Sequence, residues 1–236
     1  MHLDAVIFDW GGTLTRWHDI DFHAESLALA HAVVAANDGD EVEVGVHAEA
    51  LHRANQAIWG RSRDHQQSAT VADLFTEAGL DHDPELLSHY REFWEPHTGT
   101  DPGVAELFTT LRERGLKVGV LSNTIWPRAW HEDFFRRDGV LDLIDGDVYT
   151  SEIPWTKPSP NAFAAAMKAV GVTDPARCVY VGDRLYDDIW GARNAGLKAI
   201  HIPHSAIPVE QVGHSVGVPD AVAHELAEIP TLLEGL

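Results

Sequence analysis

Four short stretches of the chain carry side chains that could do chemistry. The first is Asp9, which follows the apolar run Val6-Ile7-Phe8 and precedes Gly11 and Gly12. An apolar run with nothing polar in it reads as a strand of a sheet covered on both faces. A carboxylate at the carboxyl end of such a strand sits where open α/β sheets place their sites. The glycines let the backbone turn sharply and come close to a ligand. Taken alone, this stretch fits a catalytic carboxylate and an ordinary Asp-containing turn equally well. The other three stretches are Ser122-Asn123 after Val118 to Leu121, Lys157 in Thr156-Lys157-Pro158, and Gly182-Asp183 with Asp187 and Asp188 after Cys178 to Val181. Each has a bland counterpart: a turn, a solvated loop lysine, an acidic helix start favoured by the helix dipole. Together and in this order they point to one site at the ends of several strands.

The elements that must position them follow from periodicity. Between about Trp17 and His97 the spacing predicts four helices and no strand: Ala24 to Asn37, His47 to Trp59, Thr70 to Ala78 and Pro84 to Trp94. From about Thr100 the pattern alternates. Helices are expected over Pro102 to Arg114, Trp126 to Arg137, Ser159 to Val170 and Asp187 to Ala195. Strands are expected at Lys117 to Leu121, Asp147 to Thr150, Cys178 to Val181 and Ala199 to Ile202. Alternation of this kind means a parallel sheet with helices on both faces. Residues 203–219 read as a surface loop or hairpin. Ala221 and Val222 read as a last strand fragment, before a closing helix interrupted near Pro230. The fold class is therefore α/β, a Rossmann-like parallel sheet with an inserted all-helical bundle. The expected division is a core domain of residues 1–16 and 99–236 and a helical domain of residues 17–98.

Composition narrows the partners. Of 236 residues, 44% are hydrophobic, and 37 acidic against 17 basic residues give a formal net charge of −20. That balance argues against nucleic acid and anionic membranes as partners. It still permits an anionic substrate, because a local cation can reverse the field within one pocket. No apolar run approaches the ~20 residues that span a bilayer. The first residues lack a basic region and a long apolar stretch, so the expected location is cytoplasmic. Cys178 is the only cysteine, which excludes an internal disulfide and argues against a cysteine-based zinc site. The 15 histidines are scattered. Whether the chain is a monomer or a homodimer is left open.

The sequence resembles the haloacid dehalogenase (HAD) superfamily over nearly its whole length. The resemblance rests on Phe8-Asp9-Trp10-Gly11-Gly12-Thr13-Leu14, Leu121-Ser122-Asn123, Lys157-Pro158, Val181 through Asp188, and Gly191-Ala192-Arg193-Asn194-Ala195-Gly196. A helical insertion directly after the first motif looks like the cap of that superfamily's first subclass. The resemblance implies that Asp9 is a nucleophile forming an aspartyl-phosphate. It implies that Mg²⁺ screens the two anions, held by the Asp9 carboxylate, the Gly11 carbonyl and Asp183. Asp188 aligns with the second acidic position, and Asp187 competes for it. Ser122 and Asn123 with nearby amides, and Gly12 and Thr13, would hold the phosphoryl group, while Lys157 would neutralise developing charge. The expected partner is a small phosphorylated substrate.

One departure stands out. Many HAD phosphatases carry a second Asp two residues after the nucleophile as general acid/base, and here that position is Gly11. Such help is worth ~10²–10⁴ in rate. The pattern Asp-Trp-Gly-Gly-Thr is similar to that of phosphonoacetaldehyde hydrolases, but those use a cap lysine as a Schiff base. The lysines here are Lys117, Lys157, Lys168 and Lys198, none in the insertion. Metal-independent haloacid dehalogenases do not usually keep the acidic motif at Asp183 and Asp188. A dehalogenase and a catalytically impaired binding protein remain the rival readings. His18 and His23 are possible substitute acid/bases, though their place beside a helix start suits exposed residues. On the insertion, Arg61 and Arg63 beside Trp59 are the candidate substrate contacts, in what reads as an inter-helix loop.

Overall fold

Alternate residues of the first strand, β1 (Ala5–Phe8), face opposite sides of a sheet, and all four are fully buried. Val6 and Phe8 share one core with Val118, Val120, Val179, Val181 and Ile200, and Ala5 and Ile7 share another with Leu121, Tyr180 and Ala199. This is the signature of a strand covered on both faces. In the computed structural model, which describes residues 2–17, 21–37, 40–82, 84–207 and 214–236, β1 is the centre of a six-stranded parallel sheet. Its companions are β2 (Lys117–Ser122), β3 (Gly146–Tyr149), β4 (Cys178–Gly182), β5 (Lys198–His201) and β6 (Ala221–Val222), in the order β3-β2-β1-β4-β5-β6. The chain runs outward from β1 to β3 and then returns to its other side at β4. That reversal places a crevice at the carboxyl end of β1, the position where such sheets bind ligands.

The connecting helices fill both faces. Four are designated here in chain order after the insertion's own four: α5 (Val104–Glu113), α6 (Arg128–Arg137), α7 (Pro160–Ala169) and α8 (Gly191–Asn194). Phe108 of α5 packs on Phe8 at 5.2 Å between ring centres, and Phe163 of α7 packs on Tyr180 at 5.1 Å. The closing segment is shorter than its sequence pattern suggests. It is two 3₁₀ turns, Leu226–Glu228 and Leu233–Gly235, around α9 (Ile229–Leu232). No hairpin is formed by the described parts of 203–219; residues 208–213 lie outside the described residues.

Between β1 and α5 come α1 (Phe22–Ala36), α2 (Glu41–His65), α3 (Val71–Ala78) and α4 (Pro84–Trp94), with no strand among the described residues there. Leu29 and Val33 of α1, Leu51 and Ile58 of α2, Leu74 and Phe75 of α3 and Leu86 and Tyr90 of α4 are its buried core. The helix α2 is much longer than its apolar spacing indicates. It starts where Asp40 caps the Val42 N–H at 3.2 Å and ends where Gln66 adopts a left-handed φ of 54°. Its first turns carry the exposed Val42 and Val46, which break the amphipathic pattern, and Gly60 lies inside it. Arg61 and Arg63 therefore stand on the last turns of a helix, not on a loop. The end of α2 is stitched to the loop between β3 and α7, since Thr156 donates its N–H to Gln66 O at 3.0 Å, and Gln67 pairs with Trp155.

Candidate active site

Asp9 continues the ladder past β1, its N–H donating to Val181 O at 2.9 Å. Its carboxyl therefore emerges at the crevice, where it is only 4% exposed. The loop after it curls tightly: the amides of Leu14 and Thr15 both donate to Trp10 O, and Gly12 adopts a φ of +88°. A β-carbon on Gly12 would stand 2.0 Å from an Asp183 oxygen, so only glycine fits. A segment beyond β5 fastens this loop. His204 Nε2 donates to Gly12 O at 3.1 Å and Thr13 O at 2.9 Å, and Ser205 Oγ donates to Gly12 O at 3.0 Å. Thr13 is fully buried, and its carbonyl, not its hydroxyl, carries that contact.

Lys157 is the hub of the site. Its Nζ donates to Asp9 Oδ1 at 2.7 Å, to Asp188 Oδ1 at 2.7 Å and to Tyr180 Oη at 2.9 Å. The ammonium's three protons thus have three acceptors. Tyr180 passes its own proton to Leu121 O at 2.9 Å. At 2% exposure the lysine stays charged, because burial lowers its proton affinity but Asp188 and Asp9 more than offset this. Asp9 titrates high, pushed up to about 6 chiefly by burial against the lowering pull of Lys157. Asn123 holds the lysine by its backbone: Nδ2 donates to Lys157 O at 3.1 Å and Oδ1 accepts from Lys157 N at 2.8 Å. Asn123 and Ser122 both line the crevice with Asp9.

Asp183 completes a cluster in which one carboxylate oxygen each of Asp9, Asp183 and Asp188 lies within 4.8 Å of the others. All three are buried, and burial together with the neighbouring Asp9 charge drives the Asp183 proton affinity well up. Among the described residues Asp183 Oδ1 has no hydrogen-bond partner, while Oδ2 accepts from Trp17 Nε1 at 3.1 Å. Asp188 is saturated instead: besides Lys157 it accepts the Arg184 N–H at 2.8 Å. The two acidic residues of the helix start separate clearly. Asp188 is fully buried against Lys157, and Asp187 lines the crevice beyond it. The turn that presents them, Leu185–Trp190, is π-helical rather than α-helical. Such widened turns recur at functional sites.

Over the crevice lies a cavity of about 560 Å³, walled by the sheet ends and by α1, α2 and α4. Gly11, Gly12 and Arg63 line it. Arg61 does not; it turns to Glu77 at 3.0 Å and borders a separate shallow depression. His23 is an exposed helix-start residue, and His18 lies outside the described residues. Several site groups escape the motif reading. Trp17, Tyr180, His204 and Glu25 reach the site from a loop, a mid-strand position, a post-strand loop and a cap helix. Only Tyr180 carried a signal in its sequence, as the one polar atom in an otherwise apolar strand.

Comparison with known proteins gives a consistent neighbourhood. The sequence model of the haloacid dehalogenase-like hydrolases matches residues 3–196. A glyceraldehyde 3-phosphate phosphatase from Methanopyrus kandleri is 27% identical over 223 residues, 92% of this chain and 91% of its own length. A phosphonoacetaldehyde hydrolase from Pseudomonas putida is 27% identical, covering 99% of this chain and 86% of its own. Among solved structures, a HAD phosphatase from Thermococcus onnurineus superposes with a TM-score of 0.68 at 24% identity, over 99% of both chains.

Proposed function

The chain belongs to the haloacid dehalogenase-like hydrolases, and from that membership we propose that it hydrolyses a small phosphorylated metabolite through a phosphoryl group carried on Asp9. The observation that carries this reading is Lys157 clamped between Asp9 and Asp188 beside the half-satisfied Asp183 carboxylate. A site built only for stability would not leave a buried carboxylate oxygen unpaired. The curated relatives named as phosphatases support phosphate as the substrate group. Residues 17–98 act as a cap domain on a core of residues 1–16 and 99–236. The cap supplies the substrate contacts, with Arg63 a contact and Arg61 a surface residue.

In the first step an Asp9 oxygen attacks phosphorus and the alcohol oxygen departs with the bonding pair. Lys157 holds the attacking carboxylate in place through Oδ1, leaving Oδ2 for the reaction. Ser122 and the Gly11 amide face the transferring oxygens and offset their charge, the Gly12 amide being held by Thr15 O. In the second step water attacks the phosphorus and releases inorganic phosphate, regenerating Asp9. Gly11 offers no side chain to protonate the leaving oxygen, so esters with acidic leaving groups are the faster substrates.

The donor set fits a hard divalent cation. Three carboxylates and the Gly11 carbonyl offer only oxygen, and Asp183 Oδ1 lacks a partner. Asp9, Gly11 and Asp183 would hold Mg²⁺ there, and the engaged Asp188 would orient the set. Bound Mg²⁺ would screen the two anions and polarise the phosphoryl oxygens. The test is a screen of phosphorylated metabolites with Mg²⁺ or with chelator. Turnover should need the metal and vanish in Asp9→Asn. Metal-independent chloride release from a 2-haloacid would replace this reading with a dehalogenase.

A further inference from the structure

One wall of the cavity is unlike a sugar or carboxylate pocket. It holds one carboxyl group, Glu25, set among the rings of Phe22, Tyr90, Trp94 and Trp126, with His97 edge-on to Trp94 at 6.3 Å. The rings meet at steep angles: Phe22 with Trp94 at 51°, Trp94 with Trp126 at 61° and Tyr90 with Trp126 at 84°. They form walls, not a stack. Glu25 is 3% exposed yet borders the cavity, and its Oε1 accepts from Trp94 Nε1 at 2.8 Å. We propose that this wall is a cation-binding subsite, so that the substrate is a phosphate ester whose far end carries an ammonium group. The inference rests on the phosphohydrolase reading above for the phosphate end.

Position decides against Glu25 as the missing acid/base. From Trp10, the neighbour of Asp9, the rings lead outward to Trp126 at 5.6 Å and from there to Trp94 at 5.4 Å, and only then to Glu25. Neither Asp9 nor Lys157 is among the groups that shift Glu25, and Glu25 is not among those that shift Asp9, so the two carboxyls stand apart in the cavity. A direct proton transfer needs ~3 Å, and Glu25 spends its contact on Trp94 instead. Among the described residues no cation forms an ion pair with Glu25. Burial pushes its carboxyl up to about 7, countered only by bonds from Trp94 and Tyr90. The cavity's arginines are engaged elsewhere: Arg16 pairs with Asp101 at 2.8 Å, Arg63 lies 3.6 Å from Asp64, and Arg184 lies over Trp17 beside the acidic cluster. An ammonium group entering the aromatic box would supply the absent positive charge and gain from the ring faces, a combination used to recognise quaternary ammonium ligands. A neutral group of the same shape would gain only its burial.

The test compares two ligands that differ in charge alone, phosphocholine and its carbon isostere neohexyl phosphate. Both are titrated calorimetrically, with Mg²⁺ present, into the full-length Asp9→Asn protein, which does not consume them. Phosphocholine should bind about tenfold more tightly or better. Adding Glu25→Gln, which keeps an acceptor for Trp94 but cannot ionise, should shrink the preference severalfold, leaving only the share that the ring faces supply. Equal affinities in the Asp9→Asn protein, no binding of either ester, or a preference undiminished by Glu25→Gln would overturn the subsite. The ligand comparison needs no change at Glu25, so a misfolded double variant does not rescue the idea. Turnover of an aryl phosphate by the wild type reports on the phosphohydrolase reading separately. Turnover with equal affinities removes only the subsite, and a charge preference without any turnover removes only the phosphohydrolase.

Discussion

The indole of Trp17 lies over Gly11, with its Cζ2 3.7 Å from the point that a β-carbon on the glycine would occupy. The space into which a longer side chain at this position would project is thus filled by an aromatic ring. The same ring donates its N–H to Asp183 at 3.1 Å and carries the Arg184 guanidinium on its face at 5.4 Å. One aromatic ring thus covers Gly11 and fixes the Asp183 carboxylate.

The two neighbouring glycines should respond oppositely to a methyl group. Gly11→Ala meets only ordinary contact with Trp17 and should keep the folded state and aryl phosphatase activity within a few-fold. Gly12→Ala would drive a β-carbon to 2.0 Å from Asp183 and 2.4 Å from Trp17 Nε1, at a φ of +88°. It should lose about 1–3 kcal/mol of stability and most activity. Thermal melts and aryl phosphate assays on both variants check the contrast.

Lys157→Met should be more damaging than either. It strips the cation from Asp9 and Asp188, both buried, and breaking such a pair costs about 3–5 kcal/mol. Asn123→Ala should leave the charge in place but loosen its seat, lowering kcat with a smaller stability loss of about 1–3 kcal/mol. If Asn123→Ala changed KM alone, its role in aligning the lysine would be wrong.

Two buried groups outside the carboxylate cluster shape the pH dependence of stability. His131 stacks on Tyr149 at 4.3 Å and meets Trp10 edge-on, and burial pushes its imidazole from 6.5 down to about 3. The unfolded chain therefore takes up the proton first. The stability His131 contributes is present above pH 6.5 and is lost as pH falls toward 3, on the order of 5 kcal/mol. Glu25 runs the other way. Its folded value of about 7 exceeds the ordinary 4.5, so its contribution is present below 4.5 and declines by about 3 kcal/mol as pH rises to 7. Denaturant midpoints measured across this range should show His131→Phe flattening the acid limb and Glu25→Gln removing the decline toward neutrality. Unchanged limbs in both variants would contradict these assignments.

Much of this was legible in the sequence because strand-end motifs are local. Asp9, Ser122, Lys157 and Asp183 each follow or neighbour a short apolar run, and the parallel sheet brings those run ends to one crevice. The choice between Asp187 and Asp188 was not local. Adjacent residues on a helical turn point in different directions, and the π-helical turn at Leu185–Trp190 rotates Asp188 toward Lys157. The length of α2 was hidden by exposed Val42 and Val46, which pack on nothing that the pattern could register. Trp17, His204 and Glu25 were hidden for a third reason: they reach the site through tertiary contacts across 166, 191 and 69 residues, to Asp183, Thr13 and Trp94 respectively.

The proposed reaction turns on a covalent phosphoryl group at Asp9. The wild-type protein is mixed with an aryl phosphate and Mg²⁺, quenched in acid within a turnover, and the peptide carrying Asp9 is weighed by mass spectrometry. A phosphoryl adduct on Asp9, discharged by hydroxylamine and absent in Asp9→Asn, is the predicted result. Phosphate release that continues in Asp9→Asn, with no adduct on the wild-type peptide, would contradict it.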